Sequence, residues 1–159
     1  MANKYPIALL SGVLCIKNDK YLLVQEREDK PYTRCKGKWT LPHGGYDKDG
    51  ESIHDLAKRE LLEETSGEAD FSGRFIILEG FEKAQNKMIV MGIIWIANNW
   101  RKVSAEDSDE ISKTKYFSEE ELADMETEGQ IRDNFPILDV VHSIKSREHK
   151  ILRWDVIRD

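Results

Sequence analysis

Glu60, Glu63 and Glu64 stand directly after Arg59, near the end of the stretch LPHGGYDKDGESIHDLAKRELLEETSG that runs from Leu41 to Gly67. Carboxylates this close repel one another, and a divalent cation relieves the repulsion. Hard oxygen donors on one face suit Mg²⁺ or Mn²⁺ rather than zinc. The bland alternative is a solvated helix, on which Lys58 and Arg59 supply some balancing charge. The helical wheel bears on the choice. At about 100° per residue, Ile53, Leu56 and Ala57 fall on one side, which should face the core. Glu60 and Glu64 fall near the centre of that stripe, and Glu63 lies at its edge beside Leu56. Burial raises the cost of ionising each carboxyl. Arg59, four residues before Glu63, is at pairing distance on a helix, but one arginine cannot balance three glutamates.

Several elements must hold this helix in place. Ile7–Lys17 and Tyr21–Arg27 flank the turn residues of NDK and predict a hairpin. Residues 28–38 form a polar loop with Pro31 and Gly37. Trp39–Pro42 is a short strand that ends at its proline. Gly44–Gly45 permits a sharp turn and close approach of a ligand. The helix over Glu51–Thr65 is capped by Ser52 or starts from the turn at Asp49–Gly50. FSGRFIILEGFEK and KMIVMGIIWIANN read as strands, the second apolar enough to be covered on both faces. SAEDSDEIS is an acidic loop and KTKYF a strand. Ser118 and Glu121 form a capping box for a helix over Ser118–Met125. A last helix is expected from about Asp133 to Ser146, and the tail HKILRWDVIRD is ambiguous. Strands mixed with a few helices give an α/β (α+β) domain, with a mixed sheet sandwiched by helices.

The 159 residues fit one domain, with 40% apolar and 34% charged residues, as expected for a soluble globular chain. The net charge of -6 and the lack of a Lys/Arg run argue against broad nucleic-acid binding. Cys15 and Cys35 are not spaced as a metal clip or redox pair. The N-terminal apolar run is too short and interrupted to span a bilayer and lacks a signal-peptide layout. These features predict a cytoplasmic protein with no membrane partner.

The stretch around the helix resembles the box of the Nudix hydrolases, the MutT-like pyrophosphohydrolases. Gly45, Glu51, Arg59, Glu60, Leu61, Glu63 and Glu64 match that pattern in register. Ser66 stands where the pattern has Gly, and Gly67 where it has an aliphatic residue. Both departures touch the helix exit rather than the carboxylates. His43, before the glycine pair, is similar to the loop of dinucleoside-polyphosphate and RNA 5′-end pyrophosphohydrolases. The Trp-x-x-Pro strand and the segment YFSEEEL are compatible flanks. The resemblance spans about Tyr5 to Ile144.

The resemblance implies a Nudix α/β/α sandwich and hydrolysis of a pyrophosphate bond in a nucleoside diphosphate linked to another group. It implies Mg²⁺ or Mn²⁺ held by Glu60, Glu63, Glu64 and the Gly44 carbonyl, with Glu110 as a further carboxylate from the later loop. Arg59 would position the glutamates, and Glu51 would support the loop or a further metal. One of the three box glutamates would be the general base. Arg27, Lys36 and Lys38 are candidate phosphate contacts, and Trp39, Tyr46 and Phe81 candidate stacking residues for a base. For Trp39, packing in the core is the stronger reading. Two other readings stand beside this one: a Nudix-fold module that binds a nucleotide without cutting it, and an acidic helix without a ligand. The proline that ADP-ribose members tend to carry beyond the box is absent, with Lys83 in its place. A nucleoside triphosphate, a dinucleoside polyphosphate, a nucleotide sugar and a capped RNA end stay open as substrates. The oligomeric state, homodimer included, stays open too.

Overall fold

The computed structural model describes residues 6–30, 35–82, 88–132, 135–147 and 151–156. In chain order the elements are β1 (Ile7–Lys17), β2 (Lys20–Glu26), β3 (Trp39–Thr40), β4 (His43–Gly45), α1 (Ile53–Thr65), β5 (Gly67–Glu82), β6 (Met88–Lys102), β7 (Ile111–Phe117), α2 (Glu119–Thr127), α3 (Ile137–Ser146) and β8 (Ile151–Val156). Eight strands form one mixed sheet with the path β3-β2-β1-β6-β5-β8, while β4 pairs with β1 and β7 with β2. The β1–β6 and β5–β8 pairs are parallel and the others antiparallel.

Strand alternation splits the core in two. On one face Val13, Cys15, Leu22 and Ala97 pack under Ala57 and Leu61 of α1. On the other, Leu14, Leu23, Ile76, Leu78, Ile94 and Ile96 meet Leu122 and Met125 of α2 and Ile137, Val140 and Val141 of α3. Helices therefore cover both faces, as the α/β sandwich requires.

The hairpin turns at Asn18 and Asp19, both with left-handed φ, as a two-residue turn between strands demands. Ser52 caps α1, accepting from the Asp55 amide at 3.0 Å. The Ser118–Glu121 capping box of α2 is present. Three expectations need correction. β6 is not covered on both faces: Val90, Ile94 and Ile96 are buried, but Met91 on the α1 side is 40% exposed, because α1 spans only part of the sheet. The last helix starts at Ile137 after Pro136 rather than near Asp133, which lies outside the described residues, as does Lys83. The tail forms β8 and adds a parallel edge to β5.

The helix exit explains both departures from the box. Ser66 ends α1 with φ 53°, the left-handed conformation that favours glycine. Its hydroxyl donates to the Glu106 carbonyl and its amide to the Leu62 carbonyl at 2.8 Å. A Cβ on Gly67 would lie 2.3 Å from Trp100 Nε1, whose N–H donates to Thr65 Oγ1 at 2.9 Å. Trp100 thus fills the space that an aliphatic residue would need. Gly67→Ala should destabilise the protein by about 1–3 kcal/mol, the usual cost of overpacking. A urea melt followed by tryptophan fluorescence would measure it.

Candidate active site

β4 carries the glycine pair into the site. Gly44 pairs with Ser11 and Gly45 with Leu10 of β1. Ser11 Oγ donates to the Ile53 carbonyl at 2.7 Å, which ties the start of α1 to the same strand. A side chain at Gly44 would displace the Glu60 carboxylate: an added Cβ would sit 2.1 Å from its carboxyl carbon. The absence of a side chain at Gly44 is therefore what lets the Glu60 carboxylate lie against the backbone of β4.

Arg59 is the organising cation. Nε and Nη2 donate to the two Glu51 oxygens at 2.9 and 3.2 Å. Nη2 also reaches Asp47 at 2.8 Å, while Nη1 reaches Glu60 at 2.9 Å and Glu63 at 3.1 Å. One guanidinium thus gathers four carboxylates. The bond to Glu51, followed by the charges of Glu60, Glu63 and Asp47, raises its pKa further.

The three box glutamates sit in three environments. Glu64 is buried and accepts the His43 amide at 3.0 Å. Burial and then the Glu60 charge push its carboxyl well above the usual range, with Glu110 and Glu26 adding to the effect. Glu60 is pushed up to about 7, by burial against the pull of Arg59 and with the Glu63 charge adding to the rise. The Glu63 side chain is 55% exposed and rests on Arg59. The wheel thus placed Glu64 correctly inside and Glu63 at a margin that proves to be solvent.

These carboxylates open onto a cleft of about 600 Å³. Its walls are Asp47, Arg59, Glu60, Glu63 and Glu64 on one side and the 104–110 loop on the other. Glu110 joins them there, its amide held by Ser108 Oγ at 3.2 Å and its carbonyl accepting from the Arg27 amide at 2.8 Å. Asp47, Glu106, Asp107 and Asp109 also line the cleft. Sequence reasoning did not single them out, although their acidity in YDKDGE and SAEDSDEIS was the available signal.

Among the described residues, no three His, Cys, Asp or Glu side chains are drawn close enough to hold a metal ion. Glu60 and Glu63 are instead turned onto Arg59. The donor set still fits a hard divalent cation in kind. It is all oxygen, and it contains a buried carboxyl, Glu64, that among the described residues accepts one hydrogen bond, from an uncharged amide.

The six candidate substrate contacts, Lys36 among them, do not line this cleft. Arg27 forks onto Asp29 at 2.9 and 3.0 Å. Lys38 donates to the Gly129 carbonyl. Trp39 stands edge-on to Phe117, with ring centres 4.8 Å apart, and packs against the core, as its stronger reading had it. Tyr46 is 42% exposed beside β1. Phe81 sits on β5 opposite Ile89.

A grouping that sequence reasoning missed, although it had noted His43 before the glycine pair, lies behind Glu64. His43 Nδ1 is 2.7 Å from the Leu41 carbonyl, so Nδ1 carries the proton and Nε2 is an acceptor. Arg132 Nη1 donates to that Nε2 at 3.0 Å. Burial, and then the Arg132 charge, push His43 down to about 4, so the ring is neutral at physiological pH. Arg132 also lies 3.5 Å from Glu26 Oε1, and the other Glu26 oxygen is buried with no hydrogen-bond partner among the described residues. No sequence signal joins Glu26, His43 and Arg132, which the fold alone brings together.

The family model for the NUDIX domain matches residues 9–137. The fold is similar to that of a NUDIX hydrolase from Nitrosomonas europaea, at 19% identity and TM-score 0.66, covering 92% of this chain and 93% of that one. It is also similar to a MutT protein from Methanosarcina mazei Go1, at 19% identity and TM-score 0.63, covering 94% and 100%. An ADP-ribose pyrophosphatase from Streptococcus suis matches at 22% identity and TM-score 0.56, covering 92% and 97%. The box, the sandwich and the family match agree: the chain belongs to the Nudix family, hydrolases that act on nucleoside diphosphate-linked substrates.

Proposed function

We propose that this chain, as a single domain over residues 1–159, hydrolyses a pyrophosphate bond in a nucleoside diphosphate linked to another group, with Mg²⁺ or Mn²⁺ as cofactor. The observation that carries the reading is the junction of Gly44, Glu60 and buried Glu64 at the head of an acidic cleft. A diphosphate bridge is densely anionic, and a carboxylate-lined cleft repels it. When bound, a divalent cation would neutralise the bridge and acidify the attacking water. Glu60, Glu63, Glu64, the Gly44 carbonyl and Glu110 are the residues to hold it.

The chain's own groups do the rest. Arg59 keeps Glu51, Glu60, Glu63 and Asp47 on one side of the cleft. The Gly44–Gly45 backbone allows close approach, and a box glutamate takes the proton from water. Cys15 is buried, which pushes its thiol up to about 12 and leaves it inert. A cytoplasmic setting fits two free cysteines. Among the described residues, no helix is long and apolar enough to cross a membrane.

The purified protein should turn over at least one member of a panel of nucleoside triphosphates, dinucleoside polyphosphates, nucleotide sugars and capped RNA, and only with Mg²⁺ or Mn²⁺. Chromatography should show a nucleoside monophosphate or pyrophosphate among the products. Nucleotide binding without turnover would favour a sensing module instead.

A further inference from the structure

We propose that Arg132 is a substrate-contacting residue that grips a phosphoryl group of the nucleotide, and that His43 is the residue that positions it. This rests on the hydrolase reading above and adds a residue to it.

Three guanidinium groups near the site differ in how their forked edge is used. The Nε and Nη2 edge of arginine presents two parallel N–H groups that match two oxygens of a carboxylate or phosphate. Arg27 spends that edge on Asp29, and Arg59 spends it on Glu51. Arg132 uses only Nη1, toward His43 and Glu26. Among the described residues its Nε and Nη2 make no hydrogen bond. Its forked edge is open, and the side chain is 23% exposed.

The residue is also held firmly. The Arg132 amide donates to the Trp39 carbonyl, and the Trp39 amide to the Gln130 carbonyl, each at 2.8 Å. The His43 ring lies 5.4 Å from the Phe135 ring, centre to centre, and its protonated Nδ1 is fixed on Leu41. His43 can therefore only accept from Arg132. The same residue donates its amide to Glu64. Through His43, the open edge of Arg132 is anchored beside the buried end of the carboxylate cluster. Among the described residues, Arg59 is the sole cation lining the cleft, and it is occupied by four carboxylates. Arg132 does not itself line the cleft, but it stands behind Glu64 with its forked edge open, where a second cation would add to the grip on an anionic substrate that extends past that end.

The alternative is that Arg132 serves only as countercharge for Glu26, which lies 3.5 Å from Nη1. Steady-state kinetics with the best substrate of the panel separate the two. Arg132→Ala should raise KM by about tenfold or more and leave kcat within about threefold. Mn²⁺ affinity, read by electron paramagnetic resonance of the free ion, should not change. Arg132→Lys keeps the charge but loses the fork, so its KM should fall between wild type and Ala. His43→Ala should raise KM as well, and the double variant should be no worse than Arg132→Ala alone. An unchanged KM in Arg132→Ala, or additive effects in the double variant, would overturn the proposal. If Arg132→Ala does not fold, Arg132→Lys and His43→Ala carry the same comparison. If the wild type binds a methylene-bridged nucleotide analogue without turnover, the hydrolase reading fails and calorimetric Kd ratios replace KM. If it binds no such analogue, both readings fall.

Discussion

Glu64→Gln should lower turnover with Mg²⁺ by roughly a hundredfold or more, the scale of losing a charge aimed at the reacting group. The same variant should make the metal-free protein more stable. Glu64 is buried beside Glu60, with Glu110 and Glu26 near enough to raise its pKa further. Its ionised form is therefore costly in the absence of a cation, and the amide removes that cost while still accepting the His43 N–H. The pH dependence has a definite sign. Glu60 and Glu64 both have raised pKa values in the folded state. Their contribution is fully present below the ordinary carboxyl range and is lost as pH rises through the folded values. For Glu60 that window runs from its ordinary value of 4.5 to about 7, and Glu64 continues the loss upward. Metal-free wild type should thus melt at a higher temperature near pH 5 than near pH 8, and Glu64→Gln should flatten the difference. Saturating Mg²⁺ should restore wild-type stability at pH 8 through binding to the folded state. A melting temperature of metal-free wild type independent of pH would contradict the assignment. Glu63 is a weaker probe. Its exposed pairing with Arg59 is worth about 0.3–0.5 kcal/mol, so a loss of turnover in Glu63→Gln would report on the site rather than on folding.

Gly44→Ala should have the second largest effect, through displacement rather than charge. The new methyl group would lie 2.1 Å from the Glu60 carboxyl carbon and 2.3 and 2.4 Å from its oxygens. Gly44 is not among the positive-φ glycines, so the backbone tolerates alanine there. The carboxylate, as the far end of a flexible side chain, must swing away and abandon its 2.9 Å bond to Arg59. Folding stability should fall modestly, by about 1 kcal/mol, the net worth of such a hydrogen bond. Turnover should drop by about tenfold to a hundredfold, because Glu60 leaves the cleft. Mg²⁺ titration followed by thermal shift should show weaker binding in this variant. Wild-type turnover at unchanged metal affinity would remove Glu60 from the site.

The sequence by itself determined the family and the local frame of its box. The spacing of Gly45, Glu51, Arg59, Glu60, Glu63 and Glu64 identified the family, because that register lies within one turn and one helix, where chain distance and spatial distance agree. Helical periodicity put Glu64 inside, and Ser52 and Ser118 marked helix starts that the structure keeps. Tertiary structure decided the rest. Glu63 turned out to be exposed, since α1 covers only part of the sheet and its edge meets solvent rather than a neighbour. Arg27, Lys38, Trp39, Tyr46 and Phe81 shared plausible chemistry but do not line the cleft, since residue type does not say which partner a side chain will meet. Asp29 and the Gly129 carbonyl took two of those cations. Arg132 and Glu26 are 106 residues apart, and His43 lies between them in sequence. Only the pairing of β4 with β1 and of Trp39 with Ile131 brings those three together, a long-range contact that no local pattern encodes.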